Sequence, residues 1–346
     1  MAQINKPTDY FNTVLYVGNE TDNHAITGVG FQPDFVWAKN RTVAESHNAF
    51  DSVRGATKLL IPNTTNAEST QATFLKSFDS DGFTLGTSNN INDSGANLVA
   101  WNWLADNTSG SSNTDGSITS TVSANTTSGF SIVSYTGTGA VGTIGHGLGA
   151  EPKMIIIKSR SNPPADHWWV YHNSLGNNQS IYLNLTNTSG STSDWSNTSP
   201  TSSVFTINGA QTGIGYNGGT FIAYCFAEKK GFSKFGSYTG NGNADGTFIY
   251  TGFKPAFVMV KNTTSATSWL MKDNKRTSSG FNPIDKRMFA NESSAESTAE
   301  DIDFVSNGFK MRTSGANPNV SGGSFIYMAF AESPLVGTNN IPATAR

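Results

Sequence analysis

The chain repeats one segment three times. Tyr16, Tyr135 and Tyr238 each open a copy, and each is followed 17 residues later by a proline, at Pro33, Pro152 and Pro255. Six residues past each proline stands a lysine, Lys39, Lys158 or Lys261, and the runs between them (PDFVWAK, PKMIIIK, PAFVMVK) are apolar. Each copy closes on a strand-like run ending in a small residue and an acid: LVAWNWLAD, FIAYCFAE and FIYMAFAE. A recurrence at the length of a small domain means tandem copies of one module, and the module is the unit that must fold.

Composition narrows the fold class. With 35 glycines, many Ser, Thr and Asn residues between apolar runs, and 22 Phe, 10 Tyr and 7 Trp among 346 residues, the chain reads as short strands joined by many turns. Helical periodicity is nearly absent; the best stretch, Asn66 to Leu75, has no apolar stripe. The expected architecture is all-β, three tandem antiparallel β-sandwich modules of jelly-roll or lectin-like type. Boundaries follow from the repeat: an N-terminal arm over 1–9, modules over 10–106, 129–228 and 229–332, and an extended tail over 333–346. The Ser/Thr/Gly-rich stretch 107–128 has few large apolar groups and is expected to be a flexible linker, leaving the first copy free to swing. Copies two and three, joined only through Lys229–Gly231, should be closely coupled.

Charged residues make up 14% of the chain and the net charge is −3, so there is no electrostatic footprint for nucleic acid or an anionic membrane. No apolar stretch reaches membrane-spanning length, and the N-terminus lacks the apolar core of a secretory signal. The lone cysteine, Cys225, lies in an apolar strand and is expected to be a small buried hydrophobe. No metal site, cofactor or catalytic residue is expected. The histidines His24, His47, His146, His167 and His172 have no metal-ligand spacing, and Asp79-Ser80-Asp81-Gly82 reads as a hairpin turn. Asp51 and Asp273 recur at equivalent places, but the second copy has His172 there, which argues against a catalytic carboxylate. The recurring lysines are expected to end strands with the charge in water, with a ligand-carboxylate anchor as the competing reading. Trp195 and Tyr216 stand outside the repeat in polar stretches, so they are the candidate ligand-facing residues, by stacking on a sugar, or else caps of their own module.

The segments GFQPDFVWAKNRT, FDSVRGATKLL, SFDSDGFTLG and VAWNWLADN resemble a module of structural proteins from marine tailed bacteriophages, and AFAESPLVGTNNIPATAR is similar to the ending of many of them. The resemblance implies a non-enzymatic virion protein, made in the bacterial cytoplasm and displayed on the virion surface. Its expected partners are other virion proteins, a tail component or the major capsid protein, together with copies of itself, as a trimer for a fibre. One placement is a tail fibre or receptor-binding protein engaging a host surface glycan. The other is a capsid decoration protein gripping the shell through arms containing Met1, Lys6, Pro334, Pro342 and Arg346. A polysaccharide depolymerase would need a pair of carboxylates across a groove, and no repeated acid pair supplies one.

Overall fold

A computed structural model describes residues 3–161, 166–209, 213–337 and 342–344. The protein is all-β and its strand pairs are antiparallel. Among the described residues, helix is confined to single turns at Pro7–Asp9, Asn89–Asn92 and Ala316–Asn319. The stretch Asn66–Leu75 instead contributes strand Ser69–Thr70 and the start of Leu75–Asp79.

Each copy has an inner sheet built on one plan. Its opening strand pairs with its closing strand, which pairs with the post-proline strand: Phe11–Val17, Asn97–Trp103 and Phe35–Asn40 in copy one. Copy two uses Phe130–Thr136, Thr220–Ala227 and Pro152–Ser159. Copy three uses Ser233–Thr239, Ser324–Pro334 and Phe253–Asn262. The post-proline and closing strands are buried on both faces, which is why they read as unbroken apolar runs rather than as alternation. One face of each packs on the copy's own outer strands. In copy one, Val36, Ala38, Leu98 and Ala100 meet Ile26, Leu75, Phe83 and Leu85, so each copy is two-layered.

The other face forms a core shared by all three copies. Phe35, Trp37, Trp101 and Trp103 of copy one meet Ile156, Tyr224 and Phe226 of copy two and Phe257, Met328 and Phe330 of copy three. Trp103, Phe226 and Phe330, equivalent residues of the three closing strands, form a triangle with ring centroids 6.4, 6.0 and 5.6 Å apart. The copies therefore surround a common pseudo-threefold axis, and copy one is fixed in the ring rather than free to swing.

The expected flexible linker is also ordered. Strands Ser111–Asn113 and Ser120–Asn125 extend the inner sheet of copy two beyond its opening strand. Ile118 and Val122 enter that copy's core, and Ser120 and Ser123 are buried. Small side chains let the ribbon lie close on the sheet, and that closeness, rather than bulk, provides the burial. Asp34 holds the exit from copy one by accepting hydrogen bonds from the amides of Ala105 (2.7 Å) and Asn107 (3.0 Å). Burial pushes its carboxyl up to about 6.

The arms lie on their own chain. The Ile4 amide donates to the Lys230 carbonyl at 3.2 Å, Ile4 is buried in the shared core, and the Gln3 amide side chain donates to the Val336 carbonyl at 2.6 Å. Lys6 pairs only with Asp9. Pro334 ends a buried strand opposite Phe253, and exposed Pro342 bridges back to Val336. The described arm residues therefore seat on the 2–3 junction instead of reaching outward; Met1 and Arg346 lie outside the described residues.

Candidate functional site: the loop end of the ring

The repeated tyrosines, two residues before Gly18, Gly137 and Gly240, anchor one loop per copy. The Tyr16 hydroxyl donates to the Ile91 carbonyl (3.0 Å), Tyr135 to Ile214 (2.7 Å) and Tyr238 to Pro318 (2.7 Å). Burial pushes all three hydroxyls up, which suits a permanent donor. The glycines let the same loops close down. A Cβ on Gly18, Gly137 or Gly240 would lie 2.2, 2.4 and 2.3 Å from the carbonyl oxygens of Asp93, Tyr216 and Val320. In copies one and three an internal asparagine completes the loop: buried Asn92 donates to the carbonyls of Thr21 and Gly86, and Asn319 to those of Asn243 and Thr313. Exposed polar residues surround these loops, among them Asn19, Thr21, Asn217, Asn241 and Asn243. The Tyr-x-Gly spacing was present in all three copies, and the glycine was the signal that sequence reasoning passed over.

The lysines and acids of the repeat hold copies together. Lys158 donates to the carbonyls of Asp166 (2.6 Å) and Thr65 (3.0 Å), the second in copy one, and Lys261 to those of Asn262 (2.7 Å) and Thr186 (3.2 Å), the second in copy two. Lys39 donates to the Asn40 carbonyl at 2.7 Å. All three are fully buried, and desolvation lowers each to about 8. They neither reach water nor present a charge to a ligand, because backbone carbonyls use their protons. Asp51 accepts from Tyr224 of copy two, and Asp273 from the Trp101 indole of copy one. Each also pairs with the arginine three residues on, Arg54 or Arg276. Where copy two has His172 instead, the facing residue of copy three is Met328, and the imidazole donates to the Tyr327 carbonyl at 3.1 Å.

Of the proposed ligand residues, Trp195 is 1% exposed, sits in the core of copy two and donates to Ser180 Oγ (2.9 Å). The polar stretch around it folds over the ring, leaving no face for a sugar. Tyr216 is half-buried, its hydroxyl bonded to Ser159 (2.9 Å) and Ser161 (2.7 Å) and its ring against Gly219. The structure does not bring the two together as a platform. Cys225 is buried and free, and burial raises its thiol. An open recess of about 660 Å³ lies between copies two and three. Lys153 pairs there with Glu151 (3.0 Å) and Lys234 with Glu228 (2.7 Å), and Lys229 and Lys230 also line it. Among the described residues, no cluster of three or more His, Cys, Asp or Glu could hold a metal ion.

These features define a closed all-β scaffold of three pseudo-symmetric copies, with anchored loops at one end of its sheets. The chain belongs to the DUF7483 family, a domain of unknown function, which it matches over residues 6–334, all three copies together. No curated protein matches it.

Proposed function

We propose that this is a non-enzymatic structural protein of a tailed-bacteriophage virion, acting as a tail-fibre or receptor-binding component that engages a host surface glycan. The observation that carries the reading is polarity. The N-terminal arm, the 104–107 and 228–232 crossings and the end of the last strand gather at one end of the sheets, where Ile4 meets Lys230 and Gln3 meets Val336. The tyrosine-anchored loops lie at the opposite strand ends. Attachment through the first end would present the second. The threefold arrangement that a trimeric fibre obtains from three chains is supplied here by one, so a single molecule can sit on a threefold axis of its partner. Pre-ordered loops with exposed Asn and Thr suit hydroxyl-rich ligands, because little ordering entropy is lost on binding. The sequence resemblance to phage structural proteins points the same way. The described arm residues seat on their own chain, which favours the tail reading over a shell clamp.

Immunogold labelling of virions with an antibody to this protein is the test. Gold at the tail is the expected result, and gold spread over the head or absent from virions overturns the reading.

A further inference from the structure

The three inner sheets differ in how their opening edge is protected. In copy two the outer edge of Phe130–Thr136 is covered by Ser120–Asn125, which pairs with it antiparallel from Ser120↔Tyr135 to Asn125↔Phe130. In copies one and three no described strand covers the corresponding edge of Phe11–Val17 or Ser233–Thr239. Copy three blunts its edge with Lys234, paired to Glu228, and with exposed Ser237 and Thr239. Charges and polar residues of this kind discourage pairing with another chain.

Copy one has no such protection. Its edge strand, FNTVLYV, carries no charge. At the two positions where copies two and three have Ser134/Thr136 and Ser237/Thr239, it has Leu15 and Val17, which are 41% and 54% exposed. Val43, 40% exposed, stands nearby: Val17 lies opposite Asn97, whose amide is held by Thr42 Oγ1 at 2.9 Å. The arm that could have folded back over this edge, as 120–129 does in copy two, runs instead to Lys230 and Val336.

We infer that the edge of copy one is a self-association site, where a second copy of this chain adds its own Phe11–Val17 strand antiparallel to the first. A twofold axis beside Tyr16 sets Leu15 of each chain opposite Val17 of the other. Those apolar cross-strand pairs lie on one face, and the free amides and carbonyls of the two edges satisfy each other. A strand without charge is complementary to itself, and copy two already seats a strand of this same chain on the equivalent edge. Phe11 and Thr13 are buried, so pairing is limited to about Val14–Gly18 and the contact is small and concentration-dependent. This inference is independent of the virion reading.

Sedimentation velocity of the full chain across roughly 1–500 µM, a range that brackets a weak contact, decides it. The expected result is a monomer–dimer equilibrium that is lost in the double variant Leu15→Ser/Val17→Thr. That variant installs the residues of copy three and should keep the melting temperature. Leu15→Lys alone should also abolish dimerisation, and Ser237→Leu/Thr239→Val should leave the copy-one dimer in place. A wild-type chain that stays monomeric throughout overturns self-pairing, as does a dimer unchanged in both Leu15 variants.

Discussion

Tyr224 donates its hydroxyl to Asp51 at 2.7 Å, from the closing strand of copy two to a strand of copy one 173 residues away. Trp101 of copy one repeats the contact on Asp273 of copy three (3.0 Å), and His172 of copy two bonds the Tyr327 carbonyl of copy three (3.1 Å). Each copy grips the one before it, and the sequence closes after three steps. The same order recurs elsewhere. The ring nitrogens of Trp168, Trp269 and His47 donate to the carbonyls of Ile61, Tyr182 and Phe289, at 3.1, 2.9 and 3.0 Å. The amides of Glu68, Ser189 and Glu296 run the other way around the ring, each donating to the next copy, at the carbonyls of Arg160, Thr263 and Arg41. A ring closed by equivalent bonds accounts for the threefold repeat better than three independent beads do.

The first consequence concerns Asp51. Its carboxylate neutralises Arg54, which is wholly buried and also contacts Glu68 at 3.3 Å. Asp51→Ala leaves a buried guanidinium short of charge, and losses of about 3–5 kcal/mol are typical of a broken buried pair. Tyr224→Phe removes a donor to that carboxylate and an acceptor for Arg54, and should cost about 1.5–3 kcal/mol. Urea unfolding of the two variants checks the ratio; equal, small losses would mean that the pair does not hold the interface.

Acid should loosen copy three first. His47 Nδ1 accepts from the Trp37 indole (2.8 Å) while Nε2 donates to Phe289 of copy three; His172 Nδ1 accepts from the Ser174 amide (3.2 Å) while Nε2 donates to Tyr327 of copy three. Each imidazole is therefore neutral with its proton on Nε2, and protonating Nδ1 would break a bond. Burial lowers the pKa of His47 to about 3 and of His172 to about 4, against about 6.5 when unfolded. Between those values the unfolded chain binds more protons. Stability is therefore full above about pH 6.5 and falls as pH drops toward 4, by up to about 3 kcal/mol for His172. Thermal melts from pH 7 to 4 should show the fall, and His172→Gln should flatten it; an unchanged slope in that variant would remove His172 from the account.

The loop anchors give a local prediction. Tyr135→Phe and Tyr238→Phe each remove one buried hydroxyl donor and should cost about 1 kcal/mol. Amide exchange should rise mainly in 213–219 and 315–322 respectively, while the inner strands stay protected. Gly18→Ala should be far worse, because its Cβ would sit 2.2 Å from a backbone oxygen that no rotamer change can relieve. Hydrogen-exchange mass spectrometry separates the two effects.

The strands and the repeat were legible because they rest on apolar runs and turn residues. Pro33, Pro152 and Pro255 mark the same register, and Asp79 and Gly82 close the expected hairpin. What could not be read was the direction each inner face takes. Phe35 looks like the core of one sandwich, yet it stacks on Tyr224 of copy two, and only closure of the ring reveals that Lys39, Lys158 and Lys261 point inward. The linker was misread because Ile118 and Val122 are two apolar residues among many small ones, and the burial of Ser120 and Ser123 leaves no hydrophobic trace. Trp195 takes the second of its two readings, a cap of its own module, because the polar stretch 193–198 folds over the core.

The N-terminal arm should act as part of the fold. Ile4 is buried in the shared core, and Gly231 lies against Gln3 and the Ile4 carbonyl. Removing residues 1–8 uncovers the 2–3 junction and deletes a buried isoleucine, a change typically worth about 2–4 kcal/mol. The melting temperature should drop by several degrees, which differential scanning calorimetry measures directly. An unchanged melting temperature would return the arm to the role of an external tether.

The seam between copies two and three makes the sharpest test of the ring. Besides Lys234–Glu228 it lacks the buried pairs of the other seams, since His172, Leu175 and Ser189 stand where copy one has Asp51, Arg54 and Glu68, and Thr263 stands where it has Arg41. The seam is also tethered by the shortest crossing, Glu228–Phe232, so high effective concentration does there what ion pairs do where copies one and three meet without a tether. His172→Asp alone places a carboxylate among apolar neighbours and should cost about 3–5 kcal/mol. Adding Leu175→Arg rebuilds the internal pair of the other two copies, and Met328→Tyr supplies the missing donor across the seam. Stability should return stepwise through the double and triple variants, by a coupling of at least about 1 kcal/mol per step. Strictly additive losses would mean that the three seams are not built on one plan.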